Sequence, residues 1–276
     1  MKYVALTSCR NEENFIRETM KGVLSQAPPP DAYVVVDDGS TDRTAEIVAK
    51  ERGAALLSLN YSRHPVRGVN LAWALNAGVR HATELVPDWD FLLKVDADSV
   101  LPADYFGRLL VNLGRDRSLG IVSGMPQDEK VWRGRASDGA KVYRRRCLDD
   151  IGSFRPCNAF DTLALLQAKG HGWRVEAFPD VIYAQLRTWR RGRMSRWMLS
   201  GRSRYYLGFP IWHTFLISIV YAAQRPPVMG SLSMFLAHLM TALGSPERPL
   251  SEEYYSFVSR YALRETLERF RERRLR

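Results

Sequence analysis

The stretch FLLKVDADS (91–99) changes from apolar to acidic along its length. Its apolar start predicts a buried β-strand, and its end places Asp96 and Asp98 two residues apart. Because alternate residues of a strand point to the same side, we expect both carboxylates to face one point at the strand's end. The alternative is a solvated turn in which Asp98 or Ser99 caps the following helix.

A second stretch, AYVVVDDGS (32–40), also ends in acidic residues, although its Asp-Gly-Ser is equally typical of a turn before a helix. Apolar runs predict further strands at YVALTS, AALLSL and LGIVSG, and helical periodicity predicts helices at 13–25, TAEIVAKERG and VNLAWALNAGVRHA. Strands that alternate with helices predict an α/β fold with a doubly wound, mostly parallel central sheet flanked by helices. Ligands of such sheets bind beyond the carboxyl ends of the strands, where both acidic motifs lie.

The regular alternation of strands and helices ends at about residue 125, and the sequence becomes helical from about residue 190. We therefore predict an α/β domain over 1–190 and a basic and apolar helical region over 191–276. The second region starts within an arginine-dense stretch, RTWRRGRMSRWMLSGRSRYY, that also contains tryptophan and tyrosine. The apolar run IWHTFLISIVYAA follows, and it is shorter than the roughly 20 residues of a membrane span. We predict a buried helix there, with a helix on the membrane surface as the alternative.

Charge and cysteine content limit the partners and the compartment. The 40 Lys and Arg residues exceed the 30 Asp and Glu residues by 10, which indicates an anionic partner: nucleic acid, a nucleotide diphosphate or an acidic membrane surface. Cys9, Cys147 and Cys157 form no CxxC pair and indicate a reducing compartment. Lys2 leads directly into a strand-like stretch instead of a signal sequence, so we predict a cytoplasmic protein.

Two classes of function fit the motifs poorly. A dinucleotide-dependent oxidoreductase would carry GxGxxG after its first strand, where TSCRNEE stands here. A basic nucleic-acid-binding module would leave both acidic motifs unexplained, and we therefore expect no nucleic-acid partner.

Taken together, the motifs resemble the family 2 glycosyltransferases of the GT-A-type fold over residues 2 to about 190. LTSCRNEE resembles the first strand of that family and its continuation, and RGVNLAWALNAG resembles its Ala-Leu-Asn-x-Gly helix. VYRRRCLDDIGSF resembles the segment after the central sheet, and FDTLALLQAKGHGWRV resembles the segment that carries the catalytic base. The resemblance implies an inverting hexosyltransferase that uses a UDP- or GDP-linked sugar, a divalent cation (Mn²⁺ or Mg²⁺), and a glycan or lipid-linked acceptor hydroxyl or phosphate.

The resemblance also implies a role for individual residues. Asp161 would be the general base, with helix capping as the alternative. Asp98 would be the principal metal ligand, and Asp96 would contact both ribose and metal. Gln185 stands where some relatives place a metal-binding histidine, and a local hydrogen bond in a strand is its alternative role. The nucleotide-sugar donor would contact Ser8, Arg10, Glu12, Asp38, Asn76, Asp96, Arg187 and Arg190, with Asp38 on the nucleotide base.

Two departures from the family pattern keep a second function open. Phe160 replaces the glutamate that usually precedes the base, and Arg10 stands where an aromatic residue is common. The alternative is a catalytically inactive nucleotide-sugar-binding relative or scaffold. We expect other arginines after Arg187 to face phospholipid headgroups or a lipid phosphate, in peripheral contact with the inner face of the membrane. The five histidines show no metal-binding spacing, and we interpret them as structural.

Overall fold

The computed structural model describes residues 1–127, 134–187, 194–224, 226–244, 246 and 250–274. The chain forms two compact units, Met1–Thr188 and Trp189–Arg276. The strands of the first unit are β1 Tyr3–Cys9, β2 Ala32–Asp37, β3 Ala55–Ser58, β4 Phe91–Asp96, β5 Ser99–Val100, β6 Leu119–Pro126, β7 Ala140–Arg144 and β8 Arg174–Gln185. Its helices are α1 Ile16–Leu24, α2 Thr44–Ala49, α3 Arg67–Leu85, α4 Tyr105–Arg115, α5 Arg145–Asp150 and α6 Phe160–Gly170.

These strands form one sheet in the order β3-β2-β1-β4-β7-β6-β8-β5. The pairs β3–β2, β2–β1, β1–β4 and β6–β8 are parallel, whereas β7 runs antiparallel to both of its neighbours and β5 runs antiparallel to β8. The five strands named from the sequence are all present, and the predicted doubly wound, mostly parallel sheet is confirmed. The sequence did not reveal β7, which reverses direction in the middle of the sheet.

Helices cover both faces of the sheet because its strands are apolar on both sides. One face packs against α1, α2 and α4 through residues such as Ile16, Val48 and Phe106. The opposite face packs against α3, α5 and α6 through residues such as Leu75 and Leu148. Each strand therefore contributes alternate side chains to two cores, which fixes its position along its neighbours and the edge at which it ends.

The second unit contains the helices α7 Met194–Tyr206, α8 Ile211–Val220, α9 Met229–Leu243 and α10 Glu252–Arg274. Small residues let α7 and α9 pack closely, since a Cβ on Gly201 would lie 2.1 Å from the carbonyl oxygen of Met234. Helix α8, predicted to be a buried helix, is buried on one face, which includes Ile217. Trp212, Phe215 and Ile219 are exposed. Among the described helices, none has both the length and the apolar character needed to cross a membrane.

Candidate active site

The carboxyl ends of β1, β2 and β4 meet at one edge of the sheet. Ser8 on β1 lies in register with Val36 on β2 and with Asp96 on β4. Asp38 follows directly after β2, and its backbone N–H donates to the carbonyl oxygen of Cys9 at 2.9 Å. The register thus brings Ser8, Asp38 and Asp96 to the same edge, where ligands of parallel sheets bind.

Strand alternation, from which we expected Asp96 and Asp98 to face one point, does not extend to Asp98. Strand β4 ends at Asp96, and Asp98 lies in the turn before β5. The chain turns there because β5 pairs with β8 and the N–H of Leu186 donates to the carbonyl oxygen of Asp98 at 2.8 Å. Neither Asp98 nor Ser99 caps a helix, since α4 begins only at Tyr105.

The Asp98 carboxylate lies beside the guanidinium group of Arg187. The Nε of Arg187 is 3.4 Å from Oδ2 of Asp98, and its Nη2 donates to Oε2 of Glu12. The guanidinium also lies over the Phe15 ring, 5.2 Å from its centroid. The side chains of Glu12 and Asp98 are only 11% and 9% exposed, so one arginine offsets two nearly buried acids. Burial raises the pKa of Glu12, and Arg187 opposes that shift.

Asp38 is held by two residues that the sequence did not indicate. The hydroxyl of Tyr61 donates to Oδ1, and Nη1 of Arg63 donates to Oδ2 at 2.8 Å. The same arginine nitrogen donates to the carbonyl oxygen of Asp38 at 2.8 Å. Tyr61 and Arg63 lie between β3 and α3, where no periodic pattern marks a site. Burial and Asp38 raise the pKa of Tyr61. Arg10, which is exposed, acts in the opposite direction and lowers it.

Asp96 contacts a buried lysine on its own strand. The Nζ of Lys94 donates to Oδ1 of Asp96 at 2.5 Å, and the side chain of Lys94 is 2% exposed. Burial raises the pKa of Asp96 to about 6, because it disfavours the charged carboxylate more than Lys94 favours it, and Asp161 raises it further.

Asp161 lies in the first turn of α6 and does not cap that helix. The N-cap position is Ala159, which makes no side-chain capping bond. Oδ1 of Asp161 instead accepts a hydrogen bond of 3.1 Å from Nζ of Lys141, whose side chain is fully buried. Asp138 and Asp161 overcome the effect of burial and raise the pKa of Lys141 to about 12, so the lysine is cationic. Phe160 is buried and packs edge-on against Phe154, which makes it a core residue.

One other predicted residue, Asn76, contacts the segment that precedes α6. The side-chain amide of Asn76 donates to the carbonyl oxygen of Phe154 at 2.8 Å and accepts from its N–H at 3.1 Å and from Oγ of Ser153 at 2.8 Å. Asn76 therefore anchors the chain before α6, and its contact with the donor stays a prediction. Arg190 lies outside the described residues.

The donor set at this edge fits a hard divalent cation. Asp96 and Asp98 could supply carboxylate oxygens, and Gln185 on β8, in register with Ser99, could supply an amide oxygen. The hydroxyl of Ser99 is buried and has no hydrogen-bond partner among the described residues. No group of three or more His, Cys, Asp or Glu side chains in the described ranges is placed to hold a metal by itself. Mg²⁺ and Mn²⁺ suit such a sparse site, because phosphate oxygens and water complete their coordination.

The family model for glycosyl transferase family 2 matches residues 5–160. Poly-beta-1,6-N-acetyl-D-glucosamine synthases of Staphylococcus epidermidis and Staphylococcus aureus are 29% identical to this chain over 125 residues, which is 44% of this chain and 28% of each synthase. The match therefore spans less than a third of those relatives.

Two solved structures share the fold over most of the chain. TarS 1-349 of S. aureus in complex with UDP-GlcNAc has a TM-score of 0.57 and 19% identity, covering 97% of this chain and 81% of that one. The mannosyltransferase PcManGT of Pyrobaculum calidifontis, in complex with GDP-Man and Mn²⁺, has a TM-score of 0.60 and 21% identity, covering 93% and 83%. At these identities the likeness shows the fold alone, and it confirms the predicted GT-A-type class with a helical C-terminal region.

Proposed function

Because this chain belongs to the family 2 glycosyltransferases, we propose that it moves a hexose from a UDP- or GDP-linked sugar to an acceptor hydroxyl or phosphate, with inversion. The complexes of the two similar structures support either nucleotide as donor. The names of the related synthases support a glycan acceptor, and a lipid-linked one is the alternative. The observation that carries the proposal is the grouping of Asp38, Asp96 and Asp98 at the carboxyl edge of the sheet.

Each group at this edge has a distinct task in the proposal. Asp38 and Arg63 form an adjacent acceptor and donor, which suits the ring N–H and carbonyl of a uracil or guanine base. Asp96, Asp98 and Gln185 would hold Mn²⁺ or Mg²⁺, which when bound offsets the negative charge that develops on the departing diphosphate. Ser8, Arg10 and Glu12 would line the nucleotide pocket, and Arg187 would contact the diphosphate.

Asp161 is the proposed general base. Its Oδ1 is held by Lys141, which leaves Oδ2 to take the proton of the acceptor. A single displacement at the anomeric carbon needs no protein nucleophile, so one carboxylate on the acceptor side suffices. The buried Phe160 beside it adds no second acid to that side.

The test begins with binding and turnover of UDP-GlcNAc and GDP-mannose, with and without Mn²⁺, followed by transfer to N-acetylglucosamine oligosaccharides and lipid phosphates. Asp98→Asn should abolish the metal-dependent part of donor binding, whereas Asp161→Asn should keep binding and lower transfer about 10²–10⁴-fold. Asp180→Asn is the matched control, because Asp180 is exposed and pairs with Arg108. Absence of donor binding by the wild type contradicts the proposal, and binding without any turnover supports the inactive-relative alternative.

The second unit has a surface that suits a peripheral contact with an anionic membrane. Exposed apolar side chains recur along one face of α9, at Met229, Leu232, Leu236, Met240 and Leu243. Contact between Phe215 and Phe235 joins this face to α8. Helix α7, which packs on α9, carries the exposed residues Arg196 and Arg202. An exposed apolar helix face with arginines beside it is typical of proteins that lie on lipid.

Sedimentation with vesicles tests this contact. We expect binding to vesicles that contain phosphatidylglycerol, weaker binding to pure phosphatidylcholine, and loss of binding in Leu236→Ser/Met240→Ser. Equal sedimentation of the wild type and the double variant would contradict the membrane contact.

A further inference from the structure

Two lysines are buried side by side in the centre of the sheet. Lys94 on β4 and Lys141 on β7 are directly opposite each other in register, and their side chains are 2% and 0% exposed. Buried ammonium groups are costly unless they are paired, and like charges at opposite positions of a sheet destabilise it. Such a pair therefore requires carboxylates that hold it in place.

Three aspartates meet this requirement in a continuous chain of contacts. Lys94 donates from Nζ to Oδ1 of Asp96 at 2.5 Å and to the carbonyl oxygen of Asp138 at 2.9 Å. Lys141 donates from Nζ to Oδ1 of Asp161 at 3.1 Å and lies 2.8 Å from Oδ1 of Asp138. Asp138 thus joins the two lysines, through its main chain on one side and its carboxylate on the other.

The carboxylates at the two ends of this series of contacts, Asp96 and Asp161, have separate tasks in the proposed reaction. Asp96 belongs to the metal and diphosphate side, and Asp161 belongs to the acceptor side. An apolar pair at 94 and 141 would satisfy the core of the sheet at least as well, since hydrophobic replacements of buried ion pairs are often neutral or stabilising. The cost of burying two ammonium groups is therefore explained by what they hold.

We propose that Lys141 is a positioning residue for the general base: it fixes Oδ1 of Asp161 so that Oδ2 faces the acceptor, and Lys94 orients Asp96 in the same way. This inference rests on the proposed function. A buried ammonium cannot follow the carboxylate into water, so Asp161 keeps one orientation whether or not an acceptor is bound. Catalysis is sensitive to such fixing, because small displacements of a reacting group cost large factors in rate.

Crystal structures of the wild type and of Lys141→Met test the positioning itself. We expect the Asp161 carboxylate to leave its wild-type orientation in Lys141→Met and to keep it in Lys141→Arg. An unchanged carboxylate in Lys141→Met would overturn the inference, whatever the activity of the protein. Thermal unfolding and binding of UDP with Mn²⁺ identify a variant that has lost its fold.

Kinetics with the donor and acceptor that the wild type uses provide the second test. Lys141→Met should lower kcat for transfer about 10- to 100-fold and leave the donor KM within about threefold, and Lys141→Arg should recover part of the loss. In the Asp161→Asn background, Lys141→Met should change the residual rate less than about twofold, because both changes remove the same function. Lys50→Met, which breaks an exposed pair with Glu46, is the control and should leave kcat unchanged.

The outcomes separate the two proposals. Normal transfer by Lys141→Met alongside an inactive Asp161→Asn would overturn the positioning role alone. Full activity of Asp161→Asn would instead remove the base from the proposed function. If Lys141→Met lowers the transfer rate by the same factor in the wild type and in the Asp161→Asn background, the two residues act independently. This result would also overturn the inference.

Discussion

Arg187→Gln should change the binding of metal and of nucleotide in opposite directions. The guanidinium contacts the carboxylates of both Asp98 and Glu12, so a cation on Asp98 would meet this positive charge. A divalent cation on Asp98 would compete with this arginine, because the two like charges repel each other beside one carboxylate. Removing the arginine should therefore strengthen metal binding in the absence of nucleotide. We propose that Arg187 contacts the diphosphate when nucleotide is bound. Removing the arginine should therefore also weaken nucleotide binding.

The geometry gives the size of the effect. Unit charges 3.4 Å apart attract each other by about 5 kcal/mol at an effective dielectric constant of about 20. Desolvation of the nearly buried Asp98 offsets most of this, and we take a net contribution of about 1.5 kcal/mol, the lower end of the range for contacts with charged groups. Since 1.4 kcal/mol corresponds to a factor of ten, we expect Mn²⁺ to bind Arg187→Gln about tenfold more tightly, and UDP to bind about tenfold more weakly at saturating Mn²⁺.

Titration calorimetry and the electron paramagnetic resonance signal of free Mn²⁺ measure the two constants separately. Arg174→Gln is the matched control, since Arg174 also contacts two acids, Asp116 and Glu176, but is 58% exposed. It should leave both constants unchanged. Metal binding to Arg187→Gln that is no tighter than in the wild type would refute the competition between arginine and cation. Unchanged UDP binding would refute the contact with the diphosphate.

Two further predictions concern packing and pH. Gly78→Ala should lower the free energy of unfolding, measured in urea, by about 1–3 kcal/mol, because the added Cβ would lie 2.3 Å from Cδ1 of Leu6. Gly114→Ala is the control and should not lower it, since nothing lies within 4 Å of the added Cβ. Equal stability of the two variants would contradict this prediction. Metal ligands must be deprotonated, and burial raises the pKa of Asp96 to about 6, so its charged form is present above that pH and is lost below it. Affinity for Mn²⁺ should therefore fall between about pH 7.5 and about pH 5, and a flat profile would contradict the assignment of Asp96.

The sequence predicted the sheet well because its signal is local. Apolar runs such as AYVVVD and FLLKVD are strands that are covered on both faces, and their acidic ends mark the edge where they stop. The same alternation failed at Asp98, which lies beyond the end of β4. It does apply two residues earlier, where Lys94 and Asp96 project to the same side of the strand and meet.

What the sequence did not predict depends on contacts between distant segments. Asn76 contacts Phe154 across 78 positions, and no local pattern distinguishes that contact from one with a nucleotide. Tyr61 and Arg63 lie in a loop without periodicity. The buried lysines are different, because a charge in the middle of an apolar run is visible in FLLKVD and in AKVYR. A lysine within a strand is therefore informative about the site, as is the acidic end of the strand.

The charges at this edge also explain why donor and metal should bind together. Glu12 and Asp98 face Arg187, Asp38 faces Arg63, and Asp96 faces Lys94, so each acid has a cationic partner within the protein. Within the part of the chain that the structure describes, these four carboxylates have only three cationic partners. A diphosphate alone would therefore be repelled by the remaining negative charge, and a cation alone would compete with Arg187. When both enter, their charges offset each other, and Arg187 exchanges two carboxylates for phosphate oxygens. Since linkage is reciprocal, the factor by which the metal strengthens nucleotide binding must equal the factor by which nucleotide strengthens metal binding.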